Sequence, residues 1–265
     1  MNFIDIHTHI LHGVDDGASD LEQSLAMASV AYKDGVKSLV ATPHVIKGVF
    51  ENSREEILKN VANLNYCLKY SGIKMTILPG AEYYLEPDLP KRLAAGELLT
   101  INDTGQYLLV ELPATIIPEY THQLLYDIQL QGVTPIIAHP ERNAVLMQKP
   151  ILLNEWASRG ILAQVTTTSI NGGFGREVKK KALLFLQTGS AQIVASDGHD
   201  ARRRAPVIYD AFMEIEHFWG MDIACKLTYD NPERIVNGIR INQPNTKKTM
   251  QIWKQYLERF RTALG

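Results

Sequence analysis

NFIDIHTHIL, residues 2–11, is a short apolar run with two histidines, His7 and His9, where a buried strand is expected to end. In an extended chain, residues two apart point to the same face. The two imidazoles would therefore aim at one point, as metal ligands do. A polar strand end in solvent explains the pair equally well, so a metal site requires further ligand-type residues elsewhere in the chain.

Six more apolar runs follow, and stretches with helical periodicity separate them. They read VKSLVATPH, KMTILPGAE, QYLLVEL, VTPIIAHP, LAQVTTTS and AQIVASDGH. Runs that are apolar throughout are typical of parallel strands buried on both faces. Strands that alternate with helices predict a parallel sheet with right-handed crossovers. Seven such units predict an α/β fold with a closed or nearly closed barrel, and an open doubly wound sheet is the alternative.

The composition is that of a globular protein without a strong charge bias. The 265 residues include 27 basic and 29 acidic side chains, for a net charge of −2, which argues against nucleic acid or a membrane surface as the main partner. Cys67 and Cys225 lie far apart, so we expect buried, inert thiols and no disulfide scaffold. No secretory leader or long apolar span is visible, and we expect a cytoplasmic protein.

The composition changes after residue 241. Residues 242–265 begin polar and then show a basic stretch with helical spacing. We expect a barrel domain over residues 1–241 and a basic helical tail over 242–265, docked on the barrel. A tail that binds a partner or lies near a membrane is the alternative.

Six of the seven predicted strands carry a histidine or an acidic residue at or near the end. In parallel α/β folds, ligands bind where the carboxyl ends of the strands emerge. A carboxylate in an apolar run, such as Glu111, is costly to bury unless it is paired or binds a metal. With one acidic residue from the loop after the first strand, the candidate ligands are His7, His9, Asp16, His44, Glu82, Glu111, His139, Asp197 and His199.

Nine candidates are too many for one ion, which takes about four to six ligands. Imidazole and carboxylate without thiolate suit zinc, manganese or iron. Clustered metal ions can activate water at neutral pH and neutralise a phosphoryl group. The pattern therefore predicts a multinuclear centre at the carboxyl ends of the strands. His12 is near this site, whereas His122 and His217 fall in helical patterns.

The motifs DIHTHIL, DDGASD, ATPH, PGAE, VEL, IIAHPER and ASDGHD, in this order, resemble the polymerase and histidinol phosphatase (PHP) family of metal-dependent phosphoesterases. Within that family they are most similar to the tyrosine-protein phosphatases of Gram-positive capsule and exopolysaccharide loci. The resemblance runs from about residue 3 to residue 241 and does not cover the tail. Asp16 stands where many other members carry histidine, which favours the capsule-type branch.

The resemblance implies a distorted (β/α)7 barrel with three divalent metal ions, with manganese favoured over iron or zinc. Its motifs assign the first metal to His7, His9, Glu82 and Asp197, the second to Glu82 as a bridge with Glu111 and His139, and the third to Asp16, His44 and His199.

Two arginines follow predicted ligands closely along the chain. Arg142 and Arg204 would lie on loops at the mouth, and a guanidinium matches a phosphate bidentately. In the resembled family, arginines at these positions bind the phosphate. Lys47, in HVIKGVF, is a further candidate for substrate binding. The glycine-rich stretch TTTSINGGFG predicts a mobile loop over the site, as a lid or a substrate wall.

The predicted activity is metal-dependent hydrolysis of phosphotyrosine in a protein. Neither cysteine lies in the phosphate-loop pattern C-x5-R, so no thiol nucleophile is expected. The resemblance implies an autophosphorylating bacterial tyrosine kinase as partner and a role in regulating capsule or exopolysaccharide synthesis. The alternatives are a small-molecule phosphatase, such as a histidinol-phosphate phosphatase, and a non-enzymatic regulator. An amidohydrolase is disfavoured because no lysine closes a strand.

Overall fold

The structure is a computed structural model that describes residues 2–241, and the predicted tail lies outside them. Within this range all paired strands are parallel. The strands are Phe3–Thr8 (β1), Val36–Ala41 (β2), His44–Val45 (β3), Thr76–Pro79 (β4), Glu82–Tyr84 (β5), Tyr107–Glu111 (β6), Thr134–Ala138 (β7), Leu162–Thr166 (β8) and Ile193–Ala195 (β9). They form one sheet in the order β1-β2-β4 and another in the order β3-β5-β6-β7-β8-β9. The predicted parallel α/β fold is confirmed at this level.

Two of the predicted strands are each divided in two, which the sequence reading missed. VKSLVATPH forms β2 and β3, and KMTILPGAE forms β4 and β5. Pro43 interrupts the first because proline has no N–H for the ladder. At Gly80 the backbone passes so close to β2 that a Cβ would lie 2.7 Å from Val40 Cγ1. Each divided segment contributes to both sheets and so links them covalently.

The chain that leaves β9 returns to the carboxyl end of β1. Thr8 and Gly198 form a parallel bridge. The Asp197 N–H donates to the His7 carbonyl at 2.9 Å, and the His9 N–H donates to the Gly198 carbonyl at 2.8 Å. The ends of the first and last strands therefore lie side by side.

Helices connect the strands. They are Leu21–Asp34 (α1), Arg54–Tyr70 (α2), Leu89–Ala94 (α3), Thr121–Leu130 (α4), Ala144–Gln148 (α5), Ile151–Ser158 (α6), Thr167–Ile170 (α7), Arg176–Gln187 (α8), Tyr209–Trp219 (α9), Met221–Cys225 (α10) and Asn231–Val236 (α11). Short 3-10 turns lie at Ile101–Asp103 and Pro140–Arg142, and a π-helical turn lies at Lys226–Asp230. Among the described residues, no helix combines the length and apolarity needed to cross a membrane.

Capping side chains define where two of the helices begin. A capping box is present at α2, where Ser53 and Glu56 bond reciprocally. Helix α1 begins at Leu21, because the side chain of Asp20 caps it by accepting from the Gln23 N–H.

The segment TTTSINGGFG is not a loop throughout. Thr167–Ile170 is the short helix α7, and most of it is buried. The side chain of Thr166 caps it by accepting from the Ser169 N–H. Only residues 171–175 remain as an exposed or half-buried turn.

The core lies on both faces of β1, which is buried along its whole length. Phe3 belongs to a large apolar cluster, whereas Ile4 and Ile6 belong to a smaller one. This double burial holds the strand, and therefore its terminal histidines, in a fixed position.

Cys67 and Cys225 are free and only partly buried, so the expectation of buried thiols was wrong.

Candidate metal centre

The nine candidate ligands converge at the carboxyl ends of the strands. Each side chain offers one nitrogen or oxygen within 4.8 Å of the corresponding atoms in its group. The groups are His9, Asp16, His44 and His199; His7, Glu82 and His139; His7, His9 and Asp197; and His44, Glu82 and Glu111. Because the groups share members, they form one continuous cluster.

Glu82 lies at the centre of this cluster and is fully buried. Its Oε1 accepts from His139 Nε2 at 2.9 Å. Its Oε2 lies 3.1 Å from His44 Nδ1, 3.2 Å from His7 Nε2 and 3.4 Å from His9 Nε2. One carboxylate thus faces imidazoles from several strands, which is the position that a bridging ligand requires.

Several buried atoms of the cluster have no hydrogen-bond partner among the described residues. They include Glu82 Oε2, Asp197 Oδ1 and His44 Nδ1. A buried polar atom without a partner is costly and uncommon. These three atoms lie 3.1–3.5 Å from other ligand atoms of the cluster without forming hydrogen bonds to them, as ligand atoms around a cation would. The residues present therefore fit divalent metal ions.

The pKa shifts of the cluster residues also fit bound divalent metal ions. Although burial opposes it, the charge of His7 holds the pKa of Glu82 well below its usual range. Burial, with the negative charge of Glu82, raises the pKa of Glu111 to about 8. Burial, with the charge of Arg142, lowers the pKa of His139 to about 4. A divalent cation would relieve the repulsion between the two glutamates and would bind His139 in its neutral form.

Asp15 and Gln164, which the sequence analysis did not identify, orient two of the histidines. His9 Nδ1 donates to Asp15 Oδ2 at 2.7 Å, and the backbone N–H of His44 donates to the same oxygen at 3.0 Å. His7 Nδ1 donates to Gln164 Oε1 at 2.9 Å. These bonds leave Nε2 of both rings facing the cluster, 3.3 Å apart. Metal-binding histidines usually donate their other N–H in this way.

We predict that Asp15→Ala weakens metal binding by about 10- to 100-fold, the usual effect of losing a group that orients a ligand. Metal affinity measured by equilibrium dialysis checks this. Asp210→Ala, at an exposed position in the first turn of α9, is the matched control and should leave metal affinity unchanged. Equal affinity in the Asp15→Ala variant and the parent would rule out the orienting role.

Two ligand-bearing turns have strained backbone. His139 has φ +31° and Asp197 has φ +54°, both in the left-handed region that non-glycine residues rarely adopt. Such strain costs about 1–3 kcal/mol per residue and is concentrated at functional sites. The turn after His139 places Arg142 at the mouth of the cluster.

Both predicted arginines contact the same ligand. Arg142 Nη1 lies 2.8 Å from Asp197 Oδ2, and Arg204 Nη2 lies 2.7 Å from the same oxygen. Their side chains are 25% and 30% exposed, so both reach solvent. A guanidinium carries five N–H donors, and the contacts to Asp197 use only some of them, which leaves others for a phosphate.

Lys47 lies just after β3, on a different segment of the chain from the two arginines. It is exposed, and its backbone N–H donates to Glu86 Oε1. It lines a cavity of about 500 Å³ beside Phe50. Its role in substrate binding stays a prediction.

The three remaining histidines do not join the nine ligand candidates in the described part of the chain. His12 Nδ1 lies 3.5 Å from Ser24 Oγ, and His122 accepts from Trp156 Nε1. His217 is exposed on α9.

Comparison with known proteins identifies relatives over almost the whole chain. The family model described as "Capsular polysaccharide synthesis, CpsB/CapC" matches residues 3–237. The tyrosine-protein phosphatase YwqE of Bacillus subtilis is 36% identical over 241 residues, covering 91% of this chain and 94% of YwqE. The tyrosine-protein phosphatase CpsB of Streptococcus pneumoniae is 33% identical, covering 88% of this chain and 98% of CpsB.

The fold is also similar to that of a solved relative. A crystal structure from work on YwqE of B. subtilis and CpsB of S. pneumoniae superposes with a TM-score of 0.88. It is 35% identical in sequence, and the match covers 91% of this chain and 97% of that one. These two proteins are described as unique metal-dependent tyrosine phosphatases.

Proposed function

Because this chain belongs to the CpsB/CapC family of capsular polysaccharide synthesis, we propose that it is a metal-dependent protein-tyrosine phosphatase acting in capsule or exopolysaccharide synthesis. The observation that carries the proposal is the cluster of nine potential metal ligands with two arginines at its mouth. The relatives named as tyrosine phosphatases support this activity over a small-molecule phosphatase.

The cluster is proposed to hold three divalent ions, with manganese favoured over iron or zinc. The proposed ligands are His7, His9, Glu82 and Asp197 for the first, Glu82, Glu111 and His139 for the second, and Asp16, His44 and His199 for the third. This division is supported by the central position of Glu82 and by the group that brings Asp16, His44 and His199 together next to His9. When bound, the ions supply activated water and neutralise phosphoryl charge.

The chain's own residues bind and orient the phosphoryl group. Arg142 and Arg204 donate to its non-bridging oxygens and stabilise the charge that develops there. Water adds to phosphorus, and the bond from phosphorus to the tyrosine oxygen breaks, which yields phosphate and tyrosine. Because the phenol of tyrosine has a pKa of about 10, it leaves more readily than an alkyl alkoxide, and a strong general acid is not required.

The mouth of the site supports a protein substrate. The side chain of Asp16, one of the nine candidate ligands, is 53% exposed, so the cluster reaches solvent at this residue. An open mouth admits a phosphotyrosine carried on a polypeptide, whereas a small-molecule phosphatase is expected to enclose its substrate. We propose an autophosphorylating bacterial tyrosine kinase as the substrate, with Lys47 as a contact. The cytoplasmic location and the separate tail domain stay predictions.

We also propose that the two sheets form one distorted (β/α)7 barrel. The divided segments β2–β3 and β4–β5 each count as one strand of the barrel. The parallel bridge between Thr8 and Gly198 supports closure between the first and last units.

We predict that chelation removes activity, whereas Cys67→Ser and Cys225→Ser retain it, because the proposed chemistry uses metals and no thiol. The measurement is hydrolysis of phosphotyrosyl and phosphoseryl peptides and of histidinol phosphate, before and after metal removal and replacement. We expect preference for the phosphotyrosyl peptide. Activity that resists chelators but is lost with a cysteine would reverse the mechanism, and preference for histidinol phosphate would favour the alternative.

A further inference from the structure

The turn at residues 171–175, here called the Phe174 turn, lies against one of the proposed phosphate-binding arginines. The ring centre of Phe174 is 5.4 Å from Arg142 Cζ, within the range of a cation–π contact. Gly172 and Gly175 have φ of +87° and +93°, which allow the chain to reverse around the ring. The ring is 36% exposed, so one part of it covers Arg142 while another faces solvent.

The buried carboxylate of Glu141 holds the Phe174 turn beside Arg142. Glu141, which precedes Arg142, is fully buried. Its Oε1 accepts from the Thr166 N–H at 2.9 Å and from Ser169 Oγ at 2.7 Å. These residues begin and form α7, which leads directly into the Phe174 turn. Glu141 therefore ties the turn that carries Arg142 to the helix that presents Phe174.

Close packing then holds the turn onto α7. The Gly173 N–H donates to the Thr168 carbonyl at 2.9 Å. A Cβ at Gly173 would lie only 2.6 Å from Thr168 Cγ2, so the turn approaches the helix as closely as glycine permits. The backbone that leads into Phe174 is thus held against α7 by the fold.

A second aromatic side chain lies beside another part of the cluster. Phe50 stacks on His44, with ring centres 5.9 Å apart and planes 11° from parallel. Aromatic surface thus adjoins both a proposed metal ligand and a proposed phosphate-binding arginine. Because Phe174 lies against Arg142, a phosphoryl group bound by that arginine would lie near the ring.

We propose that Phe174 contacts the substrate's aromatic ring and makes the site selective for aryl over alkyl phosphate esters. This inference rests on the proposed phosphatase function and names a specificity residue for it. Aromatic rings prefer offset or edge-to-face contact, which the half-exposed ring of Phe174 can offer. An alkyl ester, such as phosphoserine, gains no comparable contact.

The test compares competitive inhibition by phenylphosphonate and methylphosphonate, which share the phosphoryl-like head and are not hydrolysed. In Phe174→Ala, the preference for phenylphosphonate should fall by about three- to tenfold, as expected for one aromatic contact. Inhibition by methylphosphonate should stay unchanged. Phe174→Tyr should restore the preference, and Phe218→Ala, at an exposed phenylalanine on α9, is the matched control.

Two outcomes would overturn the inference. Equal weakening of both inhibitors would mean that Phe174 acts only through Arg142, and unchanged inhibition by both would mean that it does not contact the ligand. If the proposed function itself is wrong, the parent protein will not hydrolyse phosphotyrosyl peptide. That result differs from both outcomes above.

Discussion

Replacing His139 with alanine is expected to abolish turnover while the protein stays folded. His139 directly follows the carboxyl end of β7, and its Nε2 lies 2.9 Å from Glu82 Oε1. The change removes one of the three proposed ligands of the second metal. Metal ions contribute several kcal/mol to stabilising the transition state, so the loss should be about 10³-fold or more. His44→Ala, at the third proposed metal, should have an effect of the same order.

The measurement is turnover at limiting metal, with metal content and thermal unfolding on the same samples. His217→Ala is the matched control, because His217 is exposed on α9 and should affect none of the three readouts. Histidine and alanine both carry the strain of this left-handed position, so the substitution should change the unfolding temperature little. Near-normal turnover of both variants at limiting metal would contradict the ligand assignment.

The sequence predicted the convergence of the site because strand ends in a parallel fold share one edge. β1 illustrates this: a run buried on both faces ends beside His7 and His9, and five of the six later predicted strands add a ligand-type residue, at or near their ends, to the same region. The rule needs only that the strands run parallel, which the alternation of apolar runs with helical stretches predicts. It does not need the exact register of any strand.

Finer features could not be predicted because they depend on contacts between distant residues. Asp15 and Asp16 are adjacent acidic residues, and sequence alone does not tell which one faces the cluster and which one bonds to His9. Gln164 ends no strand, yet it orients His7 across 157 positions of the chain. The helix α7 was missed because its threonines have poor helix propensity, which the bonds to buried Glu141 override.

Arg142→Ala and Arg204→Ala are each expected to lower kcat/KM by roughly 10²–10³, the usual effect of losing one preorganised group that stabilises transition-state charge. Metal content should stay the same. Both guanidinium groups contact Asp197 Oδ2, at 2.8 and 2.7 Å, so either single variant leaves this carboxylate paired with the other arginine. The double variant loses both partners, and its metal content should fall.

Lysine at either position should rescue only part of the activity, because an ammonium supplies the charge without the bidentate fork. Inorganic phosphate should inhibit the parent protein and inhibit both alanine variants more weakly, since it has the shape and charge of the group that the arginines bind. Arg202→Ala is the matched control, because Arg202 is exposed in the same segment, whereas the arginines that pair with Asp197 are Arg142 and Arg204. The decisive comparison is phosphate inhibition alongside metal content. Unchanged inhibition with lost metal would mean that the arginines only support Asp197 and that the phosphate is held without them.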